Sequence, residues 1–168
     1  ANAYGDNGDL EKAIQSLDSL QKYTGVSDGI TFNKFRLYNM MDQKEKAFDE
    51  IRSVIEKNPD NIRYKLIMGD LYLQDNQPER ALEYYIQASH IDPDQPSLIL
   101  SMVNYYEKIN NKSAAVEELQ KAITSSKMEV DTKLQLLARY INILRQNQQD
   151  IVAANPLFQK LFEQHPNN

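Results

Sequence analysis

Two histidines, His90 and His165, and no cysteine in 168 residues leave little from which to build a reaction centre. Thiolate nucleophiles, thiolate zinc sites and disulfide frameworks are excluded, so a nucleophile and its base would have to come from serines, carboxylates and lysines. The histidines stand far apart in the chain and each falls near a helix end, where imidazolium complements the negative pole of the helix dipole; a shared metal is not expected. Asp92 and Asp94 flank Pro93 in an acidic turn that offers oxygen ligands to a hard cation. A calcium loop of the helix–loop–helix kind needs twelve ligand-bearing residues, a central glycine and a closing glutamate; none follows, and the segment reads as a connecting turn. Glu117-Glu118 and the charges of residues 42–50 read as solvated outer faces of helices. No glycine-rich loop could cradle a phosphate. The inventory argues against an enzyme and calls for no cofactor and no metal.

Composition narrows the classes further. With 41% apolar and 26% charged residues the chain is that of a folded domain, and six prolines with only five glycines favour helices over a many-turned β architecture. A net charge of −5 opposes a duplex nucleic acid partner held by counterion release. The longest apolar stretch, around residues 98–103, falls far short of the roughly 20 residues needed to span a bilayer, so membrane insertion by this segment is not expected. The chain opens without Met or a signal-like segment and is expected to be a piece of a longer one.

The elements that would position any site are announced by a period. Tyr4, Tyr38, Tyr72, Tyr106 and Tyr140 stand 34 residues apart and account for half of the ten tyrosines. Nine residues after the first four come Ala13, Ala47, Ala81 and Ala115; four later come Leu17, Ile51, Tyr85 and Leu119; then Leu20, Val54, Ala88 and Ala122. Apolar positions recurring at three and four residues are one face of an α-helix, and two helices fit each unit with a short polar stretch such as residues 74–77 between them. Small alanines let the paired helices approach, and tyrosine fills the space beside them. Pro78 suits a first helical position, and Asn58-Pro59 and Asp92-Pro93 suit helix ends. The expected units are 1–27 (partial), 28–61, 62–95, 96–129 and 130–168. In the last, the matching Ala154 follows Tyr140 by 14 residues instead of nine, five residues too many. Extra length in the first helix of that unit, over residues 130–147, is the expected outcome, with the start of the last helix near Asn155-Pro156 left open.

The unit 62–95 resembles a tetratricopeptide repeat. Its pattern W-x2-L-G-x2-Y, A-x3-F, P is met by Met68-Gly69-x2-Tyr72, Ala81-x3-Tyr85, Ala88 and Pro93, with Lys65 in place of the tryptophan. The neighbouring units put Phe35 and Val103 where the family has glycine. The resemblance implies an all-α fold, a right-handed superhelix of antiparallel helix pairs with about five repeats, the first incomplete. It also implies protein binding on the concave face lined by the first helix of each unit.

Carried over by position, that face has an apolar row of Phe32, Leu66, Leu100 and Leu134. Beside the row lie Asn33, Arg36 and Met40; then Arg63, Ile67, Asp70 and Gln74; then Ser101, Asn104 and Lys108; then Gln135 and Asn142. Amides and hydroxyls dominate, a lining suited to the main chain of an extended peptide or partner protein. The family's carboxylate clamp is not filled: Phe32 stands in place of its first lysine, Arg36 and Ile67 in place of its asparagines, and Ser97 and Ser101 in place of its last lysine and arginine. Tight clamp binding is therefore not expected. Leu10, Ile14 and Leu17 would be left bare at an open repeat end, and self-association there is a further expectation. The expected function is a non-catalytic protein-binding scaffold. The alternatives are the targeting arm of an enzyme whose catalytic domain lies elsewhere, or a carbohydrate-capturing bacterial envelope protein. The amide-rich, cysteine-free style resembles tetratricopeptide proteins of bacterial envelopes, which favours the envelope or periplasm over the cytoplasm as the expected address.

Overall fold

The computed structural model describes residues 7–164 of the chain. Among them are nine α-helices and no strand: α1 (Asn7–Thr24), α2 (Asp28–Met40), α3 (Lys44–Lys57), α4 (Ile62–Gln74), α5 (Pro78–Ser89), α6 (Pro96–Lys108), α7 (Lys112–Thr124), α8 (Val130–Gln146) and α9 (Asn155–Gln164), with a 3₁₀ turn at Ile151–Ala154. The expected all-α fold is what forms among these residues. The helices α2, α4, α6 and α8 begin 34 residues apart. Tyr4, His165 and Pro166 lie outside the described residues.

The chain forms two compact units, residues 1–64 and 65–168. In the first, α2 packs against α1 and α3, closing a core of Ile14, Ile30, Ala47, Phe48, Ile51 and Val54. Ile14 is therefore buried, which corrects the expectation that it lies bare; the exposed apolar side chains of α1 are Leu20 and Tyr23. In the second, α7 lies against α6, α8 and α9 over a core that includes Val103, Leu119, Leu137, Tyr140 and Leu157. The repeated alanines Ala47, Ala81 and Ala115 have no exposed surface. Tyr72 and Tyr140 are buried, Tyr38 and Tyr106 half-buried; the tyrosine stripe packs inside the fold rather than forming an open stacking ladder.

The turns between paired helices are one device used four times. Asp42, Asn76, Asn110 and Gln148 have φ between 55° and 58°, the left-handed region. After each, the next N–H reaches back to a carbonyl five residues earlier: Gln43 to Tyr38, Gln77 to Tyr72, Asn111 to Tyr106 and Gln149 to Leu144, at 2.8–2.9 Å. The left-handed residue itself donates to the carbonyl three before it, completing the two-bond motif that satisfies the last carbonyls of a helix. Asp and Asn tolerate this geometry because their short polar side chains bond locally; Gln does not share that advantage. Gln148→Gly is expected to stabilise the second unit by about 0.5–1 kcal/mol, read as a higher urea midpoint, whereas Asn110→Gly changes it less.

The same motif locates the insertion. The first three left-handed residues are 34 apart, and Gln148 falls four residues beyond phase. Those four residues lengthen α8 to 17 residues against 13 in α2, α4 and α6, in line with the expected longer first helix. The fifth enters the 3₁₀ turn, after which α9 starts at Asn155. Pro78 takes the expected first position of α5. That helix closes at Ser89, earlier than Asp92-Pro93 suggested, where the N–H groups of Ile91 and Asp92 fold back on the carbonyl of Ala88.

Candidate binding face

In the first unit the candidate residues are held by α2 and the start of α4. Asn33, Arg36 and Met40 are exposed along α2 and Phe32 is half-buried. The Phe32 ring stacks on Tyr64 with centroids 6.1 Å apart, and the Arg63 guanidinium sits 5.6 Å from its centroid. Asp28, in the first turn of α2, accepts hydrogen bonds from Arg63 Nη1 at 3.2 Å and from the Tyr64 hydroxyl. Burial and that bond push the Tyr64 hydroxyl up to about 12. Phe32 and Arg63 are thus committed to each other and to Tyr64. Asn33 and Arg36 border a recess of about 400 Å³ floored by Ala13, Leu17, Leu20 and Leu37.

Below α2 lies an ion cluster that spacing did not reveal. The ammonium of Lys34, 8% exposed, sits 2.8 Å from Asp18 and 2.6 Å from Glu50. Burial pulls its pKa down, but the bonds and charges of the two carboxylates outweigh burial and hold it above the ordinary lysine value. Glu50, expected on a solvated face, is only 15% exposed because it turns inward to this lysine.

In the second unit Gln74, Asn104, Lys108, Leu134, Gln135 and Asn142 are exposed, while Ile67, Asp70 and Leu100 are half-buried. Leu66 and Ser101 are buried, which leaves them almost no surface for a partner. Asp70 accepts the hydroxyl of Tyr85 at 2.7 Å, and burial together with that bond raises the tyrosine's pKa far above its usual value. Asp70 therefore positions a core side chain. Sequence reasoning missed Arg139: its Nε and Nη2 grip both oxygens of Glu107, and Nη2 also donates to Asn104 Oδ1 at 3.0 Å. The signal was available in retrospect. Asp28–Arg63, Asp92–Lys127, Asn104–Arg139 and Lys112–Asn147 are all polar pairs 35 residues apart, one repeat plus one.

The acidic turn joins α5 to α6. Asp92 is bonded through both oxygens to the Lys127 ammonium at 3.1 Å, which holds its carboxyl below the usual range; His90 is exposed at the end of α5. Among the described residues no group of three or more His, Asp or Glu could hold a metal ion, and no helix is long and apolar enough to cross a membrane.

Comparison with known proteins identifies the repeat. The model of the tetratricopeptide repeat matches residues 62–95, so that unit is a tetratricopeptide repeat, as its residues had indicated. Among curated proteins, the chain is 28% identical over 88 residues to cellulose synthase operon protein C of Pseudomonas fluorescens (strain SBW25) and 24% identical over 98 residues to anaphase-promoting complex subunit CDC16 of Saccharomyces cerevisiae. These matches cover 52% and 58% of this chain but only 7% and 12% of those proteins. Among solved structures, MamA superposes with a TM-score of 0.64 at 12% identity, over 95% of this chain and 90% of that one. BtubC (BKLC) from P. vanneervenii superposes with a TM-score of 0.64 at 15% identity, over 95% and 74%. At such identities the likeness is one of fold.

Proposed function

We propose that this tetratricopeptide-type chain is a non-catalytic scaffold that binds an extended peptide or a partner protein on the face built by α6 and α8, the first helices of two successive repeats. The observation that carries the reading is the character of α6 and α8. Asn104, Lys108, Gln135 and Asn142 stand exposed on two successive first helices, above a core closed by Val103, Leu136, Leu137 and Tyr140. Exposed amides offer both donor and acceptor to a peptide main chain without demanding a charged ligand. Leu134, 49% exposed, adds an apolar foothold beside them.

The test is photo-crosslinking from a benzophenone side chain at Leu134, with an outer-face control at the exposed Glu83. Leu66 is a poor probe position because it is buried. Capture of one recurring protein at Leu134, reduced at least fivefold by Gln135→Ala with Asn142→Ala, is the expected result. Equal capture at Glu83 would overturn the assignment of this face.

A second reading, glycan capture by an envelope protein, is favoured by the match to cellulose synthase operon protein C. Sugar platforms use aromatic faces, and the recess beside Asn142 is lined without any. Calorimetry with cellohexaose separates the two readings, and the scaffold reading expects no heat of binding.

A further inference from the structure

The four residues added to α8 build something that the other repeats lack. Asn142 stands where α6 ends at Lys108, so residues 143–146 are a helical turn that projects about 6 Å further at 1.5 Å per residue. This turn walls one side of a recess of about 340 Å³, within the range of roughly 300–1,000 Å³ common for ligand pockets. Ile143 and Gln146 come from the added turn, Asn142 and Arg139 from the helix below it, Glu107 and Asn110 from α6 and its turn, and Lys112 and Ala115 from α7. The 13-residue helices α4 and α6 carry no such turn.

The charges in the recess do not cancel. Glu107 is spent on Arg139, whose guanidinium it grips at two nitrogens. Lys112 is left over: its ammonium donates to the neutral Asn147 Oδ1 at 3.2 Å and forms no ion pair with a described residue. Arg139 Nη1 makes no hydrogen bond to a described residue, while the bonds at Nε and Nη2 hold the guanidinium plane in place. The site therefore combines one unspent positive charge, a pre-oriented guanidinium edge and the amides of Asn110, Asn142 and Gln146, on a chain whose net charge is −5.

We infer that this recess receives the carboxylate side chain of an aspartate or glutamate within an extended partner segment, Lys112 and Arg139 Nη1 taking the carboxylate and the amides of α8 taking the adjoining main chain. The inference rests on the peptide-binding reading above and adds the chemistry of the ligand and the place where it docks. A side-chain carboxylate is the source proposed, since the amides of α8 suit a main chain that continues past the acidic residue.

The probe is a synthetic positional-scanning library of hexapeptides, acetylated at the N-terminus and amidated at the C-terminus, so that side chains are the only carboxylates. Binding to the full chain is read by fluorescence polarisation. The expected result is a preference of at least fivefold for Asp or Glu over Asn or Gln at one position. It should be lost on Lys112→Glu, kept on Lys57→Glu in the first unit, and weakened several-fold between 0.05 and 0.5 M salt. Lys112→Met serves if the glutamate variant melts early by circular dichroism. Peptides that bind with no acid preference, or with one that survives both Lys112 variants, overturn the inference and leave the scaffold reading standing. A library with no member bound overturns the inference together with its peptide-binding premise.

Discussion

Gly69→Ala is expected to destabilise the second unit by about 2 kcal/mol, although alanine is the better helix former by about 1 kcal/mol. A Cβ built on Gly69 would lie 2.4 Å from Tyr85 Cε1, 2.8 Å from Cδ1 and 3.0 Å from Cζ. The ring has no room to retreat, because Tyr85 is 1% exposed and its hydroxyl is tied to Asp70. The period shows how other repeats avoid the clash: Phe35 and Val103 replace the glycine, and the positions equivalent to Tyr85 hold Ile51 and Leu119. Tyr85→Leu alone should cost about 2–3 kcal/mol through the cavity and the orphaned Asp70. In the Gly69→Val, Tyr85→Leu pair, which copies the 96–129 unit, the loss should be smaller than the sum of the single losses by at least 1 kcal/mol. Urea midpoints of the four proteins test this; strict additivity would mean that the two positions are not coupled as the geometry requires.

Lys34→Ala is expected to cost the first unit about 2–3 kcal/mol, since it leaves Asp18 and the half-buried Glu50 without their cation. Lys34→Met keeps the packing volume and isolates the electrostatic part. The pH window of the wild-type cluster is set by the lysine. A lysine whose folded pKa lies above its unfolded value adds stability that is complete below about 10.5 and drains away as pH rises through the folded value. Alkaline unfolding of the first unit should therefore begin above pH 10.5. A Lys34→Met midpoint equal to wild type at pH 7 would show that the cluster contributes nothing.

The repeat, its helix pairs and its small-residue positions were legible because they obey a fixed period, and Ala47, Ala81 and Ala115 are buried where that period places them. Depth was not legible. Phe32, Leu66, Leu100 and Leu134 share a register, yet Leu66 is buried and Leu134 half open, because exposure at equivalent positions depends on what the neighbouring helices bring. The Lys34 cluster joins α1, α2 and α3 through residues that occupy no repeated position, so no spacing rule could assemble it. Arg139 and Lys112 escaped for a related reason: they matter through an added turn and a 35-residue offset, whereas the tyrosines and alanines repeat at 34. Asp92, in the acidic turn between α5 and α6, joins Lys127 across the same 35-residue offset.

The lengthened α8 also has an angular consequence. At 3.6 residues per turn each residue advances about 100°, so four residues complete a rotation and overshoot it by about 40°. The chain therefore leaves α8 pointing some 40° away from the direction in which α6 hands on to α7. Left uncorrected, that offset would carry the next helix past the groove meant for its small residue. The extra residue follows in the 3₁₀ turn at Ile151–Ala154, and Ala154 arrives 1% exposed, as deeply seated as the other repeated alanines. Helix α8 thus behaves as a gear with one tooth too many, and Ala154 is seated all the same. Removing one residue from that turn while keeping α8 intact should unseat Ala154 and α9 and leave the helices before them in place.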